Sequence, residues 1–185
     1  SLIHDDVLDA AEVRRGDSAV HKLYSTKAAV LSGDFLLARA SVALARLGHS
    51  QVVREMAKSL EALVQGELMQ LQSSAEERLS LEYYLTKSYC KTASLMAYSC
   101  KSAALLSGHA LDSEVAVAAE KYGYHFGLAF QVIDDLLDFT GTSETLGKPG
   151  LQDMQLGLST APVLYAAESR SELKALIARK FGEPG

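Results

Sequence analysis

The sequence predicts an all-α fold, and three observations carry that prediction. Apolar residues recur at helical spacing almost throughout the chain, and the period-2 alternation of strands is absent. Only three prolines interrupt a composition dominated by alanine and leucine. About five or six helices are expected, several of them longer than the usual three turns. A chain of 185 residues, 48% hydrophobic and 22% charged, can bury a real core, so residues 1–185 read as a single domain.

Taken in order, the first element carries SLIHDDVLD. Residues 10–24, AAEVRRGDSAVHKLY, mix charge with Gly16 and read as a loop. A helix rich in small and apolar residues follows and is ended by Gly48. Ser50 caps a long helix whose face is marked by Val52, Val53, Met56, Leu60, Leu63, Val64, Leu68 and Leu71. Tyr84, Leu85, Cys90, Leu95, Met96, Ala103 and Leu106 mark another, closed by Gly108. Asp112 caps a third, which runs through Phe139. Residues 140–159, TGTSETLGKPGLQDMQLGLS, hold four glycines and Pro149 and read as a loop. A loop of about 20 residues in a compact domain is usually functional. Ser171 caps a short last helix that stops near Gly182.

Composition removes several function classes. The formal net charge of −5 argues against nucleic acid as a partner. Cys90 and Cys100 lack metal-site or disulfide spacing and read as reduced thiols. No uncharged apolar run reaches the ~18 residues of a membrane span; residues 1–185 show no signal- or transit-peptide pattern either, which says nothing about location in a chain that reads as trimmed in front. The chain begins inside a motif and ends without an obvious domain boundary, so it reads as trimmed in front and at the back.

The chemistry concentrates in a repeated pattern. D-D-x-x-D occurs as Asp5, Asp6, Asp9 and again as Asp134, Asp135, Asp138, each copy inside an apolar helical stretch. Positions i and i+4 share a helix face, so Asp5 projects with Asp9 and Asp134 with Asp138. Asp6 and Asp135 point about a third of a turn away. Three carboxylates so close repel one another, and burying them unpaired is expensive, so a cation must compensate. An oxygen-only donor set suits magnesium, which keeps waters and shares phosphate oxygens. An EF-hand is excluded by the missing turn glycine and closing glutamate. Basic residues complete the pattern. Arg14 and Arg15 follow the first copy and Lys148 the second, as phosphate binding requires. Lys91 and Thr92 stand mid-helix in YCKTASL, where a snorkelling lysine and a back-bonding threonine are the bland alternative. His4 reads as a packed histidine.

These segments resemble the trans-isoprenyl diphosphate synthases. The resemblance runs in family order through SLIHDDVLD…RRG, KAAVLSGDFLLARA, GELMQL, KTASL, GLAFQVIDDLLDF and GKPGLQDMQLGLSTAPVL. It is strongest toward long-chain polyprenyl synthases of the mitochondrial catalytic type. It implies an isoprenoid-synthase-type helical bundle around a central cavity, present here as a partial domain over 1–185. It implies several magnesium ions, about three, held by Asp5, Asp9 and Asp134 and less directly by Asp6, with Asp135 and Asp138 acting through water. Arg14, Lys91 and Lys148 would hold an allylic diphosphate, and Arg15 isopentenyl diphosphate. Thr92 and Gln131 would turn oxygens toward a developing carbocation, with Phe130 lining the pocket. Ser1, small and one turn before Asp5, leaves no floor at that position. A product longer than about twenty carbons is therefore expected, a quinone side chain of about forty to fifty.

The resemblance further implies a mitochondrial location, with plastid or cytoplasm as alternatives. It implies a homodimer or a heteromer with a second subunit, and peripheral membrane association through the product. Ala10, Leu158 and the missing G-K-R segment depart from the family pattern. A shorter-chain synthase and a weakly catalytic partner subunit remain alternatives, though partner subunits tend to lose the aspartates kept here. A terpene cyclase would carry serine or threonine where Asp138 stands.

Overall fold

The computed structural model describes residues 1–141 and 150–182. The helices among them are α1 (Leu2–Leu8), α2 (Val20–Leu23), α3 (Thr26–Arg46), α4 (Ser50–Gln72), α5 (Leu81–Ser88), α6 (Ser94–Leu106), α7 (Glu114–Thr140), α8 (Gln152–Gln155), α9 (Ala161–Ser169) and α10 (Glu172–Ala178). A 3-10 turn spans Glu77–Leu79, and a π turn spans Tyr89–Ala93, between α5 and α6. One antiparallel hairpin, β1 (Val13–Arg14) with β2 (Asp17–Ser18), completes the regular structure. The all-α class is the one the sequence predicts. The hairpin, α2 and α8 fall in segments read as loops, because a single turn or a two-residue strand is too short to establish a period.

The described residues form two compact units: Ser1–Ser50, and Gln51–Gly141 with residues 150–182. In the first, α1 and α2 pack on α3. Ser25 caps α3, accepting from the Ala28 N–H at 3.1 Å. Gly48, at φ +66°, ends the chain's helical course as its type suggests. Ala29 and Gly33 are buried, and the imidazole of His4 fills the space a Gly33 side chain would need. His4 Nε2 reaches the Val30 carbonyl at 2.9 Å and Asp34 Oδ1 at 3.5 Å, so this is a packed histidine that fixes the roll of α1 on α3. The hairpin turns at Arg15 and Gly16, both at positive φ (+56° and +87°). That matches a primed two-residue turn, in which glycine suits the second position and Arg15 bears the strain. α3 is the one helix among the described residues long and apolar enough to cross a membrane. Asp34 and Arg39 stand inside it, and each would cost roughly 3 kcal/mol at a bilayer centre.

In the second unit, α6 and α7 form the tightest pair. Gly123 and Gly127 of α7 face Met96, Ala97 and Ala93, whose backbone and small side chains leave no room for a Cβ. α7 starts one residue later than the sequence suggested. Ser113, not Asp112, accepts from the Ala116 N–H, at 3.2 Å. The core gathers Tyr84, Ala161, Val163, Leu164, Ala167 and Ile177 beneath Val132 and Phe139. Ser171 precedes α10 without a side-chain cap, and the helix ends at Ala178, before the left-handed residues Lys180 and Phe181. Cys90 and Cys100 are both free thiols.

Candidate functional site

In the first unit the three aspartates of α1 divide by direction. Asp5 is partly exposed, Asp9 is the exposed C-cap residue, and Asp6 is 3% exposed. The third-of-a-turn offset of Asp6 explains the difference, since the face that meets the rest of the unit cannot also carry Asp5. Buried Asp6 is compensated by Arg14, which donates to Oδ1 from Nε at 2.8 Å and from Nη2 at 2.5 Å. The hydrogen bond to Asp6 raises the Arg14 guanidinium pKa above its ordinary value, with Asp5 and Asp9 adding to it. Strand β1 delivers Arg14 to this position, and the turn leaves Arg15 exposed beside it. Ser1 is the N-cap residue of α1, its hydroxyl accepting from the His4 N–H at 3.4 Å.

In the second unit α7 divides its aspartates differently: Asp138 is buried with Asp135 rather than projecting with Asp134 as the i, i+4 spacing suggested, because the packing of neighbouring segments covers that side of the helix. Asp134 is exposed, while Asp135 and Asp138 are 3% and 2% exposed. Asp135 receives one donor on each oxygen: the Tyr84 hydroxyl on Oδ2 at 2.6 Å and the Gln131 amide on Oδ1 at 2.7 Å. Burial raises its pKa against the pull of these two donors. Asp138 accepts from the backbone N–H groups of Gln152 and Asp153 at 3.3 and 3.2 Å, so it fixes the first turn of α8. Phe130 is 53% exposed, one turn before Asp134.

Lys91 and Thr92 lie in the π turn, a local widening of the helix that is frequent at functional positions. Thr92 does not back-bond to its own helix. Its hydroxyl donates to Gln131 Oε1 at 2.7 Å. Lys91 does not snorkel either: its ammonium meets Glu67 at 2.9 Å and Gln70 Oε1 at 3.0 Å. Gly66 permits this approach, because a Cβ there would stand 2.6 Å from the Lys91 side chain. The GELMQL stretch of α4 therefore serves Lys91. Lys87, one turn earlier, has its pKa lowered by burial first and by Lys91 second, against Asp135, Asp153 and Glu67. Tyr84, Glu67, Gln70 and Lys87 were not identified from the sequence as site residues. The pair of like charges at Lys87 and Lys91 is a signal that could have found the acidic partners. Lys148 lies outside the described residues.

Among the described residues no three His, Cys, Asp or Glu side chains converge on one metal position. The donor chemistry still fits magnesium. Each motif turns carboxylate oxygens outward, and magnesium uses one or two carboxylates together with waters and phosphate oxygens rather than an all-protein cage.

Known proteins share this sequence and fold. The rice mitochondrial solanesyl-diphosphate synthase 1 is 53% identical over 184 residues, covering 100% of this chain and 42% of its own length. The mouse all trans-polyprenyl-diphosphate synthase PDSS1 is 47% identical, with 100% and 45% covered. The chain thus spans less than half the length of these curated relatives. The Caulobacter crescentus polyprenyl synthase complexed with calcium and isoprenyl diphosphate matches with a TM-score of 0.87 and 34% identity, over 98% of this chain and 56% of that one. An apo Arabidopsis medium/long-chain prenyl pyrophosphate synthase matches with a TM-score of 0.78 and 46% identity, over 99% and 56%. The polyprenyl synthetase profile matches residues 1–184, and with the two aspartate motifs and the helical fold this establishes that the chain belongs to the polyprenyl synthetase family.

Proposed function

We propose that the complete protein is a magnesium-dependent prenyltransferase that condenses isopentenyl diphosphate with an allylic diphosphate to give a long-chain all-trans polyprenyl diphosphate. Residues 1–185 are read as part of its one synthase domain. The observation that carries the proposal is the outward carboxylate of each motif, with the central aspartate turned inward and compensated by the protein itself. Asp5, Asp9 and Asp134 would hold magnesium, about three ions in all, while Asp6, Asp135 and Asp138 support them from behind. When bound, the ions draw negative charge onto the leaving diphosphate.

The chain's own residues supply the rest. Lys91 and Lys148 hold the allylic diphosphate, with the donors of Arg14 not engaged by Asp6, and Arg15 takes isopentenyl diphosphate. Thr92 and Gln131 offer oxygens to the allylic carbocation, and Phe130 lines an apolar wall that keeps water from it. The double bond of isopentenyl diphosphate attacks the cation, and the proton then lost goes to the released diphosphate. No side-chain nucleophile is required.

The rice relative's name, a mitochondrial solanesyl-diphosphate synthase, supports a long-chain product of quinone-side-chain length and a mitochondrial location. Assembly as a homodimer or with a second subunit, and contact with a membrane through the product, complete the proposal. The test is to incubate the full-length protein with allylic and isopentenyl diphosphates and magnesium and to measure product length. Products longer than about twenty carbons support it, and final products of fifteen or twenty carbons overturn the quinone assignment. A bisphosphonate should bind only with magnesium or a similar ion present. Equal affinity in EDTA overturns the metal role.

A further inference from the structure

Four side chains of the second unit form one chain of hydrogen bonds whose direction is fixed. A carboxylate only accepts. With the Tyr84 hydroxyl donating to one oxygen of Asp135 at 2.6 Å, the Gln131 group that meets the other oxygen at 2.7 Å is the amide NH2. The Gln131 carbonyl must then face the other way, and it accepts the hydroxyl hydrogen of Thr92 at 2.7 Å. The Thr92 hydrogen is thereby committed. What remains uncommitted on Thr92 Oγ1 and Gln131 Oε1 is lone pairs. A reversed chain would leave an N–H or O–H there instead, which repels a cation.

The origin of this order is the Asp135 carboxylate, which only accepts and whose orientation is held by Tyr84. The Tyr84 ring belongs to the apolar core with Ala161, Leu164 and Ile177, so the hydroxyl has little freedom. The Tyr84 hydroxyl meets Asp135 Oδ2 at 2.6 Å, and a carboxylate cannot donate, so the phenol hydrogen lies on that bond. Asp135 is 3% exposed and both its oxygens are taken, whereas Asp134 next to it is exposed.

We propose that Tyr84 is a positioning residue that, through Asp135, locks Gln131 and Thr92 in one hydrogen-bond polarity, so that the pair offers only acceptor oxygens to a cationic intermediate. This rests on the prenyltransferase reading above. It makes the second aspartate of the motif the hub of a polarity relay and leaves metal contact to Asp134.

The test uses the full-length protein with magnesium and both diphosphates. Tyr84→Phe keeps the ring and removes the donor. It is expected to lower kcat about tenfold, with KM for both diphosphates nearly unchanged. In a Thr92→Val background the same change should cost less than about twofold, because the relay then has no end. Wild-type kcat in Y84F overturns the inference, and so does an equal loss in both backgrounds, which is what a merely structural tyrosine would give. Asp135→Asn serves as the second variant should Y84F fail to fold. It keeps the shape but turns an amide toward Gln131, which flips the relay. Its kcat should fall with the magnesium half-saturation unchanged, while Asp134→Asn shifts that half-saturation upward. Recovery of D135N by excess magnesium would make Asp135 a metal ligand and overturn the inference. A wild type that makes no prenyl product overturns the functional reading and this inference together; an active wild type matched by Y84F overturns this inference alone.

Discussion

The two copies of D-D-x-x-D are identical in letters and differ in how the protein supports them. In both, the first aspartate faces outward and the second is buried. Asp6 is compensated by a full charge, the Arg14 guanidinium delivered by a strained hairpin. Asp135 is hydrogen-bonded by two neutral donors, Tyr84 and Gln131, with the Lys87 charge acting on it only from a distance. The third aspartates part company further: Asp9 ends its short helix in solvent, while Asp138 is buried and organises α8. One turn before the first aspartate, one copy has the small Ser1 and the other the exposed ring of Phe130. The same local pattern thus serves as an ionic cradle in one unit and as one end of a hydrogen-bonded polar chain in the other. A motif specifies where carboxylates point relative to each other, and the surrounding helices assign each one a task.

The largest effect should come from what the copies share. Asp5→Ala or Asp134→Ala should lower turnover about a hundredfold or more, since each removes an outward carboxylate. The melting temperature should stay level or rise, because like-charge repulsion is relieved. Retained turnover in both variants would remove the motifs from the site. The next effect separates the copies. Asp6→Asn breaks a largely buried pair whose arginine is 42% exposed at its side chain, and should cost about 2 kcal/mol of stability in denaturant titration. Raising the salt concentration should shrink that loss, whereas the smaller loss in Y84F, about 1 kcal/mol, should not respond to salt. Equal salt responses would erase the distinction drawn here. Gly66→Ala should come third, at about 1–2 kcal/mol, with a raised KM for the allylic diphosphate because the Lys91 side chain is displaced. An unchanged KM would detach Lys91 from that substrate. Ser1→Phe should be smallest in stability, about 1 kcal/mol for the lost cap, yet it should shorten the products on chromatography by making the first copy resemble the second. Unaltered product lengths would mean that the growing chain does not pass Ser1.

Much of this was legible in the residues. Helical periodicity gave the long helices α3, α4, α6 and α7, since each repeats its apolar face over several turns. The hairpin and α2 were missed because the charged stretch AAEVRRGDSAVHKLY has no period to read. The sequence also offered Lys91, Thr92 and Gln131, but not the partners that orient them. Thr92 and Gln131 are 39 residues apart, and Tyr84 and Asp135 are 51 apart. No local rule links such pairs, and Tyr84 looks like any aromatic of a helix core.

By itself, then, the sequence determined the helical class, the family and the offset of Asp6 from Asp5 and Asp9, because those depend on local spacing and on residue type. Only the tertiary structure decided which aspartates face inward and what meets them there. A helix's periodicity says which side chains share a face, but the packing of its neighbours chooses which face is buried, and a buried carboxylate must then find donors wherever the fold brings them.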